Sequence, residues 1–489
     1  MMTPHNEQVI QGLEPRKVFF YFGNIASIPH GSGNEKQLAE YIYNLGKNKG
    51  WDICVDDYNN VLIRKPASPG YEHAPTLLMQ AHLDMVCEKN PGVEHNFLTD
   101  PLKLRREGGF LYASGTTLGA DNGIGVALLL ALLDTEDLQH PALEVLLTAD
   151  EEAGMSGIKH FDGSQITAHH LLNLDSKMDS LTVACAGGQR FAFHMPYQTC
   201  GSARGETYSI VLDGLKGGHS GAEIDKGRAN AIKLLGRVVA DLQRELDVEL
   251  AYFRADGKAN VIPRRAETAV NPVDAGALQA RLDWWKETLR RELADTEPEV
   301  TLSVQKIPAV SRVLCPADAR RLVQCILLTP SGTLTRNLET GEAIYSNNLG
   351  VVTFAEDAVH LYCLCRSSLT SLMNSDYLPL MQTIADTLGI TGEVGDSFPC
   401  WEYVEDSPLR EVCSTAYFRL NGKYPEVISR HAGSECGYIM NVCPSLKDAV
   451  ATGARLFNMH TTYEHLDIDA VEVAYGYLRK ILETFRELA

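Results

Sequence analysis

Five short stretches of this chain carry residues that can hold and use a metal ion. The first is Leu77-Leu78-Met79-Gln80-Ala81-His82-Leu83-Asp84, an apolar run that ends in an imidazole and, two residues on, a carboxylate. His82 can bind a metal while Asp84 orients its ring. A loop histidine beside a solvated aspartate would have the same sequence. The second stretch, residues 115–125, is a glycine-rich turn that places Asp121 just before an apolar helix. Asp121 reads either as a helix cap or as a carboxylate bridging two metals, one oxygen to each. The glycine spacing is wrong for a dinucleotide fingerprint, and an acid there would repel a pyrophosphate.

The third stretch is Asp150-Glu151-Glu152, at the end of the apolar run Leu143 to Thr148. Three adjacent carboxylates repel one another unless solvent or cations screen them. The fourth is Leu171-Leu172-Asn173-Leu174-Asp175, and the fifth carries His460 just after Asn458-Met459. None is decisive alone. Together they offer two imidazoles and several carboxylates. That mixed set suits zinc, with manganese or cobalt as substitutes, and is too rich in nitrogen for calcium. Two such ions sharing a carboxylate would supply hydroxide at neutral pH.

Elements must bring these stretches together. Lys36 to Lys49 predicts a helix, with Leu38, Ile42 and Leu45 on one face. Thr76 to Ala81, Leu143 to Thr148 and His170 to Leu174 predict buried strands, and Gly123 to Leu133 predicts a helix apolar on nearly all sides. Buried strands separated by helices indicate an α/β domain with a mostly parallel central sheet. Sites in such sheets form outside the carboxyl ends of the strands. After about Gly187 the texture changes. Phe191 to Pro196, Tyr208 to Leu212 and Val300 to Val304 alternate as half-buried strands, and Arg228 to Leu246 and Gly276 to Leu293 are amphipathic helices. The expectation is a catalytic domain over residues 1–186 and 398–489, interrupted by an α+β lid domain over 187–397.

Composition narrows the function classes. The chain has 489 residues, room for two or three domains. A formal net charge of -19 argues against a nucleic-acid partner, which needs an excess of Lys and Arg. The 12 cysteines include no CxxC pair, so a reducing compartment without a disulfide framework is expected. Residues 1–15 lack a signal-peptide pattern, and the apolar run Val126 to Leu133 is too short for a bilayer. The expected location is therefore cytoplasmic, with no membrane partner.

The set His82-x-Asp84, Gly119-x-Asp121-Asn122-Gly123, Asp150-Glu151-Glu152 and His460-Thr461, in this order, resembles the M20 family of co-catalytic zinc peptidases. It is most similar to the aminoacyl-histidine dipeptidase branch, over essentially the whole chain. The resemblance implies that His82 and Asp175 hold one zinc, that Glu152 and His460 hold the other, and that Asp121 bridges them. It makes Glu151 the general base and Asp84 the residue that orients His82; spacing alone leaves Glu151 and Glu152 interchangeable.

Within the insertion, Gly217-Gly218-His219-Ser220-Gly221 resembles the lid histidine segment, which implies an oxyanion role for His219, from its own chain or across a homodimer. Asn260 resembles a lid asparagine near substrate, and Arg366 a lid arginine that pairs with the substrate carboxylate. Gly433-Ser434-Glu435 resembles a loop lining the substrate pocket. The chain departs from many relatives after His460, where Thr461-Thr462-Tyr463-Glu464 replaces a Pro and an Asp-Glu pair; that puts the support of His460 in question. The function implied is a two-zinc hydrolase of dipeptides, including those ending in histidine. Hydrolysis of N-acyl amino acids, or metal binding without catalysis, are the other readings.

Overall fold

The apolar runs that lead into His82, Asp150 and Asp175 are neighbouring parallel strands in the computed structural model, which describes residues 2–202, 204–338 and 340–488. Leu77–His82 lies between Leu143–Thr148 and His170–Asn173, and Asp448–Ala451 continues the parallel block beyond His170–Asn173. Every residue of these four strands is buried, which explains why they read as continuous rather than alternating runs. The flanking strands Val61–Lys65, Asp52–Val55 and Ser180–Cys185 pair antiparallel, so the eight-stranded sheet is mixed, with its parallel pairs at the centre. Parallel alignment gathers the carboxyl ends of the central strands along one edge.

Helix Ala120–Leu133 is buried along its whole length, because it packs both on Leu77–His82 and against helix Arg16–Ile25. A helix covered on several sides has no polar face to show in its sequence. A small four-stranded sheet is built from Leu104–Glu107, Phe110–Ala113, Leu456–Phe457 and His465–Asp467. The last two strands pair antiparallel, and the loop between them carries His460. Apart from Cys185 at the end of its strand, these elements belong to a first unit made of Met1–Ala184, Tyr403–Ser429 and Ser434–Ala489.

The second unit takes Cys185–Glu402 and the short return Arg430–Gly433. It contains a four-stranded antiparallel sheet in the order Glu249–Arg254, Ala266–Asn271, Thr207–Asp213 and Thr301–Ile307. It also contains a five-stranded antiparallel sheet in the order Gly332–Arg336, Ala343–Phe354, Ala358–Ser367, Gly187–Pro196 and Thr391–Phe398. Helices Ala231–Glu245, Ala275–Glu292, Pro316–Leu328 and Leu378–Leu388 contribute to the same apolar core as these sheets. Cys200 and Cys315 form a disulfide in this unit, where free thiols were expected; the other ten cysteines form no disulfide among the described residues, so the bridge is single rather than part of a framework. Among the described residues, no helix is long and apolar enough to cross a membrane.

Candidate metal centre

His82 is the last residue of its strand, and Asp150-Glu151-Glu152 follows the adjacent parallel strand. The parallel register therefore brings the imidazole and the acidic turn to one edge of the sheet. His82 donates from Nδ1 to the backbone carbonyl of Asp84 at 3.0 Å, while the Asp84 carboxylate lies at 3.4 Å from the same nitrogen. Nε2 faces Asp121 Oδ1, at 3.4 Å, and the hydrogen bonds to Asp121 and Asp84 hold the ring's pKa well above its ordinary value despite burial. The other Asp121 oxygen, Oδ2, lies 3.3 Å from His460 Nε2, which is also 2.9 Å from Glu152 Oε1. One atom each from His82, Asp121 and Glu152 falls within a single 4.8 Å group. Asp121 thus turns one oxygen to each imidazole. It does not cap its helix: Gly119 is the cap residue and Asp121 itself has non-helical backbone angles.

Asp84 does more than contact His82. Its carboxylate accepts from the backbone N–H of Glu151 at 2.9 Å and of Glu152 at 3.1 Å, and from the Ser32 hydroxyl at 2.7 Å. A single buried carboxylate so fixes the acidic turn against the His82 strand. Asp150 is spent differently: its carboxylate accepts from the backbone and hydroxyl of Ser156. Of the three adjacent acids, only Glu151 and Glu152 are left for chemistry.

Glu464 answers the doubt about the segment after His460. It is 3% exposed, and its two oxygens accept from four consecutive backbone N–H groups, Leu118, Gly119, Ala120 and Asp121, at 2.8 to 3.1 Å. It clamps the Asp121 turn to the loop that carries His460. Gly119 sits in this turn at φ +66°, where a Cβ would meet the Met85 sulfur at 2.7 Å, so glycine is required both for the backbone and for the space. Sequence reasoning missed Glu464 because an isolated loop glutamate carries no mark of its burial. It also missed the layer under the site. Gln80 donates to Thr148 at 3.0 Å and to Glu435 at 2.6 Å, and accepts from Asn173, whose side-chain oxygen receives the Asp175 N–H.

The electrostatics match a cation site. Burial pushes the Glu151 carboxyl up to about 9, and the charges of Asp175, Glu435 and Glu152 add to this against the pull of His82. Burial also raises Glu435, to about 7, and Glu464, to about 6. Asp121 and His460 instead hold each other in their charged forms: Asp121 is held low despite burial, and hydrogen bonding to Asp121 and Glu152 lifts His460 to about 10. Protein charge alone leaves too many carboxylates together. Divalent cations would relieve the crowding, and two imidazoles with carboxylates form a donor set that fits zinc.

In the second unit, His219 accepts at Nδ1 from the backbone N–H groups of Gly221 and Ala222, at 3.1 and 3.2 Å. In a neutral ring that places the proton on Nε2, which lies 3.5 Å from Arg366 Nη2. Burial and the Arg366 charge both lower its pKa, so the ring is neutral. Arg366 is 5% exposed, with Nε at 3.4 Å from the Ser220 hydroxyl, and no acid forms an ion pair with it among the described residues. Burial brings its pKa down to about 10. His431, which sequence reasoning did not single out, bonds through Nε2 to Ser346 Oγ at 2.7 Å. The carbonyl of Asn260 accepts from Ser220 N–H. Gly433 groups with this unit against the Phe398 ring, whereas Ser434 belongs to the first unit and caps helix Glu435–Val442.

Residues 78–484 match the model of Peptidase family M20/M25/M40. The chain belongs to this family. Its relatives include the cytosol non-specific dipeptidase of Escherichia coli strain K12, 36% identical over 96% of this chain and 98% of that protein. The crystal structure of aminoacylhistidine dipeptidase from Vibrio alginolyticus superposes with a TM-score of 0.93 at 35% identity, covering 97% of both chains. Aminopeptidase PepT from Bacillus cereus, at 15% identity and a TM-score of 0.56, shares the fold. As an M20 peptidase, the chain is a hydrolase of peptide bonds, and the buried cluster of His82, Asp121 and Glu152 is where a metal would sit.

Proposed function

We propose that this M20 peptidase is a dinuclear-zinc dipeptidase of broad specificity that accepts peptides ending in histidine and works in the cytoplasm. The observation that carries this reading is the placement of Asp121, one oxygen toward His82 and the other toward His460 and its neighbour Glu152. His82 and Asp175 would hold one ion, Glu152 and His460 the other, with Asp121 between them. Bound zinc would acidify water and polarise the scissile carbonyl.

The chain's own groups do the rest. Glu151 takes the proton of the attacking water and returns it to the leaving amine. Asp84 keeps the His82 ring and the Glu151 backbone in register. His219 offers its Nε2–H to the developing oxyanion. Arg366 takes the free C-terminal carboxylate, with Asn260, Gly433 and Ser434 beside the substrate. A guanidinium without a countercharge favours short peptides with a free carboxylate.

The test is metal removal by a chelator, followed by restoration with zinc, manganese or cobalt, on a panel of dipeptides and N-acyl amino acids. Activity should vanish and return with metal, and dipeptides should be the better substrates. Full turnover by the stripped protein would overturn the metal assignment. Preference for N-acyl amino acids would overturn the substrate class.

A further inference from the structure

We propose that the second unit carries a separate divalent-metal site, of the borderline class that includes copper, nickel and zinc, chelated by His194 and His360. The two residues lie directly opposite each other on the neighbouring antiparallel strands Gly187–Pro196 and Ala358–Ser367. Their inward neighbours Phe193 and Leu361 are in the apolar core, so the two imidazoles stand together on the other face of the sheet, where Arg190 and Tyr362 are exposed. The third strand of the row, Thr391–Phe398, adds Glu393 beside them.

The contacts specify the chemistry. His194 Nε2 lies 2.7 Å from Glu393 Oε2, so it donates to the carboxylate. That bond fixes the tautomer and leaves a lone pair on His194 Nδ1. This lone pair faces His360 Nδ1 at 2.6 Å. Two imidazole nitrogens can come so close only with one proton between them. A metal ion can replace that proton: it would bind both Nδ1 atoms, with water completing its shell, after the rings open by well under an ångström to the roughly 3.3 Å separation set by bonds of about 2.0 to 2.1 Å. Glu393 then plays the part of a carboxylate that orients a metal-binding histidine through its second nitrogen. The partial exposure of His194, 25%, allows an ion to enter. Nitrogen ligands in this number favour copper most, then nickel and zinc.

The site is independent of the peptidase reading, since none of its residues belongs to the candidate metal centre. The experiment uses the full chain carrying the metals with which it is purified. Cupric ion is added at neutral pH and followed by electron paramagnetic resonance and by counting bound copper against released zinc. One copper per chain should bind with a two-nitrogen signature and without release of zinc. Binding should weaken by roughly tenfold or more in His194→Ala and in His360→Ala, and less in Glu393→Gln, with thermal unfolding unchanged in the absence of copper. Copper uptake that is equal in both histidine variants, or that occurs only as zinc leaves, would overturn the proposal and leave a shared proton as the whole meaning of the pair.

Discussion

The two units handle charge in opposite ways. In the first, carboxylates are crowded and buried beyond what nearby cations balance, and burial lifts Glu151, Glu435 and Glu464 above the usual carboxylate range. In the second, the buried acids Asp241 and Glu267 are matched by arginines. Burial would raise Glu267, but hydrogen bonds from Tyr252, Arg254 and Arg265 and the Arg254 charge bring it down to about 2. Among the described residues the buried cation Arg366 forms no ion pair with an acid and rests on the Ser220 hydroxyl and the Phe398 ring. One unit has an unmet need for positive charge and the other for negative charge. On the proposed reading a divalent metal would satisfy the first and a substrate carboxylate the second, each at a cost in stability.

The sharpest way to break this contrast is to neutralise one acid of the crowd. Glu151→Gln keeps the shape and should leave metal content intact, because the ligands proposed are other residues. Turnover should fall by roughly 10²- to 10⁴-fold, the usual worth of a general base. Steady-state kinetics beside metal analysis decides it. If Glu152→Gln instead kept its metal and lost turnover, the two glutamates would exchange roles.

On the other side of the contrast, Arg366→Ala should raise KM for dipeptides by about 10- to 150-fold, corresponding to about 1.5 to 3 kcal/mol for charge-assisted hydrogen bonds. The same change should matter little for dipeptide amides, which lack the carboxylate. Arg366→Lys should recover only part of the loss, since an ammonium cannot match a carboxylate with two parallel bonds. Equal losses on acids and amides would make Arg366 a packing residue.

A third test separates metal positioning from mere burial. Glu464 and Glu144 are both buried glutamates that accept from backbone N–H groups, Glu144 from Thr167 and Ala168. Only Glu464 holds the turn that presents Asp121. Glu464→Gln would turn an amide group toward two of the four N–H donors. Metal affinity should drop by about 10- to 100-fold, as for other groups that hold ligands in place. Glu144→Gln should lower the unfolding temperature and leave metal affinity alone. Metal titration and thermal unfolding of both variants give the answer, and parallel behaviour would reduce Glu464 to a structural cap.

These acids also mark the limit of the sequence. Strands Leu143–Thr148 and Leu77–His82 were legible because full burial writes itself as an unbroken apolar run, and the acids that end them stood out against it. Helix Lys36–Lys49 was legible from its apolar face and ends at Gly50 in the left-handed conformation. The parallel pairing is confined to the sheet's centre, because the flanks return by antiparallel neighbours that carry no distinct local pattern. Glu464, Glu435 and Gln80 were illegible as a supporting layer for a different reason. Their partners are backbone groups or residues up to 355 positions away, and no local period encodes such pairs. The Asp84 carboxylate was expected to orient a ring; that it also grips the Glu151 and Glu152 backbone depends on a loop closure 67 and 68 residues long.

The smallest effect is the pH dependence of stability, to which Glu267 and Glu151 should contribute with opposite signs. Glu267 falls from the ordinary 4.5 to about 2 on folding, so the unfolded chain binds more protons between these values. Its contribution is complete above about 4.5 and is lost as pH falls toward 2. Glu151 rises from 4.5 to about 9 in the metal-free protein, so there the folded chain binds more protons, and stability should fall as pH climbs through that window. Chelator-treated protein should therefore be most stable in mildly acid solution, with loss on both sides. Glu267→Gln should flatten the acid side only and Glu151→Gln the alkaline side only. Restoring metal should remove the alkaline loss, because an ion that binds the ionised site rewards the same deprotonation that otherwise costs stability. Urea unfolding midpoints across the pH range, with and without zinc, measure both limbs; an alkaline loss that persists with metal bound would place its origin outside the acidic cluster.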